Sequence, residues 1–175
     1  MTLKHLIGLS LLISQLAFCP AEAQNNPSGT QPVTRTSHTK AVKTDVVTTG
    51  EMTIRKPDYI CISTDGGRDQ LLMDGTKFTM TMKGKPHTTD SRQNAQFATF
   101  QKVLHAVING QPIPDCEDLS KEAQGGQQIL TITPSGKKHQ MFTSFVLVVD
   151  GKTSAMKRLR MNGRNGSYTE YTFGK

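Results

Sequence analysis

Few side chains in this sequence are spaced for chemistry. The five histidines, His5, His38, His87, His105 and His139, are scattered singly. Ser135 sits in the turn Pro134-Ser135-Gly136, and the sequence places no His or Asp beside it to act as its base. Asp115, Glu117 and Asp118 bring carboxylates close enough for acid–base work, but they fall in a polar, irregular stretch where charges are ordinarily solvated. There is no G-x-S-x-G elbow, no phosphate-binding glycine loop and no H-E-x-x-H. An enzyme is therefore not expected, and the residues call for no metal and no cofactor. Of the three cysteines, neither Cys61 nor Cys116 has a second Cys or His at metal-ligand spacing.

The ends and the charge narrow the setting. Lys4 precedes an apolar run from Leu6 to Phe18, and Ala21-Glu22-Ala23 is an A-x-A cleavage site. Residues 1–23 read as a secretory signal peptide, too short in its apolar part to span a bilayer as a permanent helix. The mature chain is expected to begin at Gln24 in an oxidising compartment, the periplasm. There Cys61 and Cys116 stand either bridged or as two buried thiols, and spacing does not choose between them. Leu16-Ala17-Phe18-Cys19 is an imperfect lipoprotein box, because the residue before Cys19 is large. The 175-residue chain carries 21 Lys and Arg against 14 Asp and Glu, a net charge of +7. The leader takes away only Lys4 and Glu22 and leaves that charge unchanged. Acidic headgroups or an acidic protein fit such a surface. Basic residues are not interleaved with exposed aromatics, so nucleic acid is not an expected partner. A monomer is expected.

Positioning falls to a mostly β chain. Gln24 to Pro32 reads as a flexible tether, and 33–175 as one domain. Val33 to Lys43 and Val46 to Arg55 read as a hairpin. Tyr59 to Thr64, Gln70 to Met73 and Thr76 to Lys83 follow as strands, with Asp74-Gly75 as a two-residue turn. Phe78, Met80 and Met82 alternate with Lys77, Thr79, Thr81 and Lys83, which marks one covered face and one wet face. Gly84 to Asp90 reads as a polar loop. Ser91 to Asn109 reads as a helix capped by Asp90 or Ser91, with Gly110 past its end. Phe97, Phe100, Leu104, Val107 and Ile108 form its apolar stripe, and His105 lies beside it as a partly buried packing residue. Residues 111–126 read as a long irregular segment, with Glu117 to Ala123 as a short second helix. Strands are predicted at Gln127 to Thr133, His139 to Asp150, Ser154 to Met161 and Ser167 to Phe173. The mature chain holds seven methionines, side chains that fill irregular apolar space.

In this order the motifs resemble the LolA family of periplasmic lipoprotein carriers. The resemblance runs over about residues 34 to 173. It rests on Gly50 with an apolar strand into Lys56-Pro57 and the strand after that proline. It continues with Leu72-Met73-Asp74-Gly75 before Lys77-Phe78, a helix, and Leu130 to Pro134. Phe145 to Asp150-Gly151 and the closing Tyr-Thr-x-Tyr-Thr-Phe of Tyr168 to Phe173 complete it. It implies an incomplete antiparallel β-barrel whose concave apolar face is covered by one or two helices. It also implies a carrier that takes the acyl chains of lipoproteins, or another lipid, from an inner-membrane transporter to an outer-membrane acceptor. The position before the proline, Lys56 here, would latch the lid; lysine lacks arginine's planar fork. Ile60 matches the apolar position tied to cargo and transporter handling. Met52, Ile54, Ile60, Ile62, Phe78, Met80 and Met82 from the sheet, with Phe97, Phe100 and Leu104 from the helix, are the expected lipid-binding residues. For each of them plain core is the competing reading. Such a protein usually opens with an amphipathic helix, and Gln24 to Pro32 is too short and polar for one. Either the lid rests on residues 91–109 and 111–126 alone, or the cargo is different. A carrier makes physical sense because exposing an acyl chain to water costs about 0.8 kcal/mol per methylene. Two other readings keep the fold: a lipid or lipoprotein sensor acting on a protein partner, and a LolB-like acceptor anchored through Cys19.

Overall fold

The computed structural model describes residues 28–42, 44–135 and 140–174. The signal peptide, Cys19 and His139 lie outside the described residues. Six strands come first: β1 (Gly29–His38), β2 (Val46–Arg55), β3 (Tyr59–Thr64), β4 (Asp69–Asp74), β5 (Lys77–Met82) and β6 (Lys85–Asp90). Then comes one helix, α1 (Ala95–Asn109), followed by β7 (Leu119–Gln124), β8 (Gln127–Ile132), β9 (Phe142–Asp150), β10 (Met156–Gly163) and β11 (Tyr168–Phe173). All eleven strands form one sheet in the order β6-β5-β4-β3-β2-β1-β11-β10-β9-β8-β7, every neighbour antiparallel. The chain starts in the middle of the sheet and works out to the β6 edge. It crosses over through α1 to the β7 edge and works back to lie beside its own first strand, with Val33 opposite Phe173. The two edges do not pair, so the barrel is incomplete.

Side-chain alternation decides which face is inside. Met52 and Ile54, Ile60 and Ile62, Leu71 and Met73, and Phe78 and Met80 are all buried, while the residues between them face outward. β8 to β11 add Leu130, Ile132, Phe145, Leu147, Leu159, Met161, Tyr171 and Phe173 to the same core. The sheet is strongly curled. Arg35 on β1 reaches Asp69 on β4 at 3.1 Å, spanning the two strands that separate them in the sheet. Gly50 sits where β2 and β3 press together: a Cβ there would lie 1.9 Å from the Ser63 carbonyl oxygen, so only glycine fits.

Several elements differ from the sequence reading. The tether ends sooner, because Gly29 to Pro32 already pair with β2. The polar loop at 84–90 is strand β6, and the second helix expected over 117–123 is strand β7, so among the described residues one α-helix covers the sheet. Both are edge strands, exposed along most of their length, and their order comes from pairing with one neighbour. The β4–β5 turn is centred on Gly75-Thr76, since Asp74 pairs with Lys77. The helix starts later than expected and is capped by Asn94, whose side chain accepts from the Gln96 N–H at 3.2 Å; Gly110 ends it in the left-handed conformation, φ 63°.

Candidate functional site

The site is the interior of the curled sheet, and α1 fills it. The helix buries Phe97, Phe100, Val103, Leu104, Val107 and Ile108. Its 3-4 spacing turns this stripe toward both arms of the sheet at once. Phe97 stacks on Phe78 of β5 with centroids 4.3 Å apart, and Phe100 stacks on Phe145 of β9 at 4.5 Å. Phe142 meets Phe97 and Phe145 edge-on or tilted, at 6.2 and 5.3 Å. These five rings bridge the open side of the barrel. Aromatic pairs of this geometry contribute roughly 0.5–1.5 kcal/mol each beyond their buried area.

Side chains of the helix attach it to the strands and loops around it. The Gln96 Oε1 accepts from the Met141 N–H at 3.0 Å. Gln101 donates through Nε2 to the Gly75 carbonyl and accepts from the Ser91 hydroxyl. Asn109 donates from Nδ2 to the Pro57 carbonyl at 2.7 Å and to the His105 carbonyl at 2.9 Å. Before the helix, Asp90 gathers the Arg92 N–H, Nε and Nη2 and the Thr76 hydroxyl. Those bonds, the Arg92 guanidinium first, hold its carboxyl well below the usual carboxylate range.

With α1 seated, the interior is closed. The cavity between Met52, Ile62, Met73, Phe78, Leu104 and Leu159 measures only about 10 Å³, about the smallest space that holds one water. Nine of the ten residues expected to bind lipid are buried against one another here: Met52, Ile54, Ile60, Ile62, Phe78, Met80, Phe97, Phe100 and Leu104. In this state they are core. Met82 is apart, 49% exposed at the end of β5. It borders a groove of about 230 Å³ with Met80, Met141, Phe142 and Met161, and Arg35 lies in the same groove. Sequence reasoning did not single out Met141, Met161 or Arg35. Arg35 is 9% exposed; its Nε is buried without a hydrogen-bond partner among the described residues, and burial raises the neighbouring Tyr171 hydroxyl above its ordinary range.

Lys56, the expected latch, is exposed, and its ammonium makes no hydrogen bond or ion pair among the described residues. The carbonyl of the next residue, Pro57, takes the bond from Asn109 instead. Asn109 escaped sequence reasoning because nothing local ties a helix C-terminus to a turn so far away in the chain. Cys61 and Cys116 are free and partly exposed, so no disulfide joins them. Cys61 stands on the outward side of β3, between buried Ile60 and Ile62, while Cys116 precedes β7 at the far edge of the sheet. His105 is half-buried and lines an open groove of about 430 Å³ with Lys102, Gln101 and Pro112. His38 bonds Asp45 at 2.7 Å and stacks on Tyr168. Glu117, Asp118 and Ser135 line one shallow groove, but among the described residues no hydrogen bond joins the Ser135 hydroxyl to a carboxylate or a histidine. Asp115 pairs with Lys121 at 2.6 Å, which lowers its carboxyl pKa. No group of three or more His, Cys, Asp or Glu among the described residues is placed to hold a metal. No described helix is long and apolar enough to cross a membrane.

Fold and site together define, among the described residues, a β-barrel left open along one side and filled by one amphipathic helix. The chain matches no family model, and no curated protein matches it. Among solved structures it is similar to a LolA superfamily protein from Nitrosomonas europaea, at 9% identity over 87% of each chain with a TM-score of 0.36. It is also similar to a DUF1329 family protein from Desulfovibrio piger, at 13% identity over 89% of this chain and 85% of that one, TM-score 0.39. A third likeness is to LprF from Mycobacterium bovis, at 9% identity over 86% of each chain, TM-score 0.35.

Proposed function

We propose that the protein is a periplasmic carrier that binds the acyl chains of lipoproteins, or of another lipid, inside the curled sheet after α1 moves out. The observation that carries this reading is the packing of α1 itself. The helix occupies an apolar concavity, and side-chain bonds at Gln96, Gln101 and Asn109 help to fasten it there. Its buried stripe is a stand-in for hydrocarbon. The cavity beneath Leu104 is too small for an acyl chain, so loading there must displace the helix. The buried sheet residues expected to bind lipid, Met52, Ile54, Ile60, Ile62, Phe78 and Met80, then become the lining, with Met52, Met73 and Met80 adapting to the shape of the guest. Lock residues in this reading are Asn109 and Gln101 rather than Lys56, whose role is left to a transporter or acceptor contact.

The test is incubation of the protein with membranes carrying a labelled lipoprotein. The expected result is a soluble one-to-one complex of cargo and carrier. Recovery of the protein without lipoprotein or other lipid, at cargo concentrations that saturate the membranes, overturns the reading.

A further inference from the structure

We propose that the end of the molecule around the β1–β2 hairpin is a docking surface for an anionic lipid bilayer. Among the described residues, the exposed large hydrophobic side chains are Val42, Val46, Val47, Met82 and Met141. All five lie at this one end. Val46 and Val47 open β2 opposite Ser37 and Thr36, at the end of β1, and Val42 follows in the turn, its N–H bonded to the Thr39 carbonyl at 2.9 Å. Met82 and Met141 border the groove whose other wall is Ser37, His38 and Thr39.

Val46 and Val47 are consecutive strand residues and point to opposite faces, yet they are 54% and 60% exposed. The hairpin end therefore stands clear of the body with apolar side chains on both faces. A protein partner's groove would cover one face of such a tip. A medium that surrounds it, as the acyl boundary of a bilayer does, covers both. Charge points to the same occupant. Lys40 lies on the hairpin, and Lys83 and Lys85 flank Met82 at the β5–β6 turn; all three are exposed and make no ion pair among the described residues. The nearby carboxylates are already engaged, Asp45 by His38 and Tyr168, Asp69 by Arg35, and Asp65 by Arg68 at 3.9 Å. What this end offers outward is apolar side chains ringed by ammonium groups, the complement of anionic headgroups over hydrocarbon.

The surface would be where the proposed carrier meets its membranes, and it rests on that reading for its purpose. Its test needs no cargo. Flotation of the protein with vesicles of phosphatidylglycerol and phosphatidylethanolamine is compared with flotation on phosphatidylcholine vesicles. The expected result is binding to the anionic vesicles that weakens as salt rises. The exposed double substitution Val46→Asp with Val47→Asp lowers it at least tenfold. Each of Lys40→Gln, Lys83→Gln and Lys85→Gln lowers it about fivefold, while Lys77→Gln at the opposite end of β5 leaves it unchanged. Circular dichroism matching the parent protein shows that the variants fold. Absence of binding to the anionic vesicles, or equal binding by the parent and the valine variant, overturns the proposal. Either result leaves the cargo experiment to stand or fall by itself.

Discussion

At the scale of single residues, two kinds of side chain hold α1 in place, and they predict different losses. Phe100 is 1% exposed and packs on Phe78 and Phe145. Phe100→Ala leaves a hole among rings and is expected to cost about 3–5 kcal/mol in denaturant unfolding. Asn109 contributes one bond to an exposed turn. Asn109→Ala is expected to cost only about 0.5–1.5 kcal/mol, but it frees the helix end from Pro57. Amide exchange over 103–109 should quicken by more than the change in global stability accounts for; exchange that follows global stability alone would show the bond to be idle as a latch. Lys56→Ala, by contrast, should leave both stability and exchange within error, because its ammonium makes no hydrogen bond or ion pair among the described residues. That contrast bears on what could be read in advance. The alternation of Phe78 and Met80 and the stripe on α1 mark buried faces directly. No periodicity distinguishes Asn109 from any polar residue near a helix end.

At the scale of elements, the approach to α1 is governed by Asp90. Its carboxyl is held well below the ordinary value by Arg92 and Thr76, and its backbone carbonyl accepts from Gln93 and Asn94. A carboxyl whose pKa is lowered by folding stabilises the folded form above its unfolded pKa of 3.8. That contribution is lost as pH falls through the lower folded value. Protection of the first turn of α1 is therefore expected to be flat above the ordinary carboxylate range and to weaken in strong acid, and Asp90→Asn should abolish that pH dependence. Amide exchange as a function of pH measures both. The strands and the helix with an apolar face were legible; β6 and β7 were not. Lys85 to Asp90 is exposed or half-exposed throughout and carries Pro86, so nothing in it alternates. Leu119 to Gln124 is rich in helix formers, and pairing with β8 overrides that preference. Both are strands because a neighbour offers an edge, information the segments themselves do not contain. The candidate site divides in the same way. Its sheet-and-helix lining follows from patterning, whereas Arg35, Met141 and Met161 are gathered by the curl of the sheet.

At the scale of the whole molecule, the β1–β11 pairing joins two meanders, β1 to β6 and β7 to β11, into one sheet. Deleting residues 168–175 would leave β1 and β10 as two long open edges in the middle of the protein. The expected product is an aggregate rather than a folded monomer, read by size exclusion with light scattering. A monodisperse, cooperatively unfolding product would show that the halves hold together through α1 alone. The same pairing sets a timetable. The strand at the centre of the finished sheet is the first made, and its second neighbour is the last. Until Phe173 has emerged, β1 displays a row of unanswered backbone donors and acceptors, and the two half-sheets can only wait on either side of the helix that tethers them. A chain that crossed a membrane unfolded, N-terminus first, would thus be kept from joining its two half-sheets until β11 had arrived, so that the seam would double as a check on the last strand built into the topology.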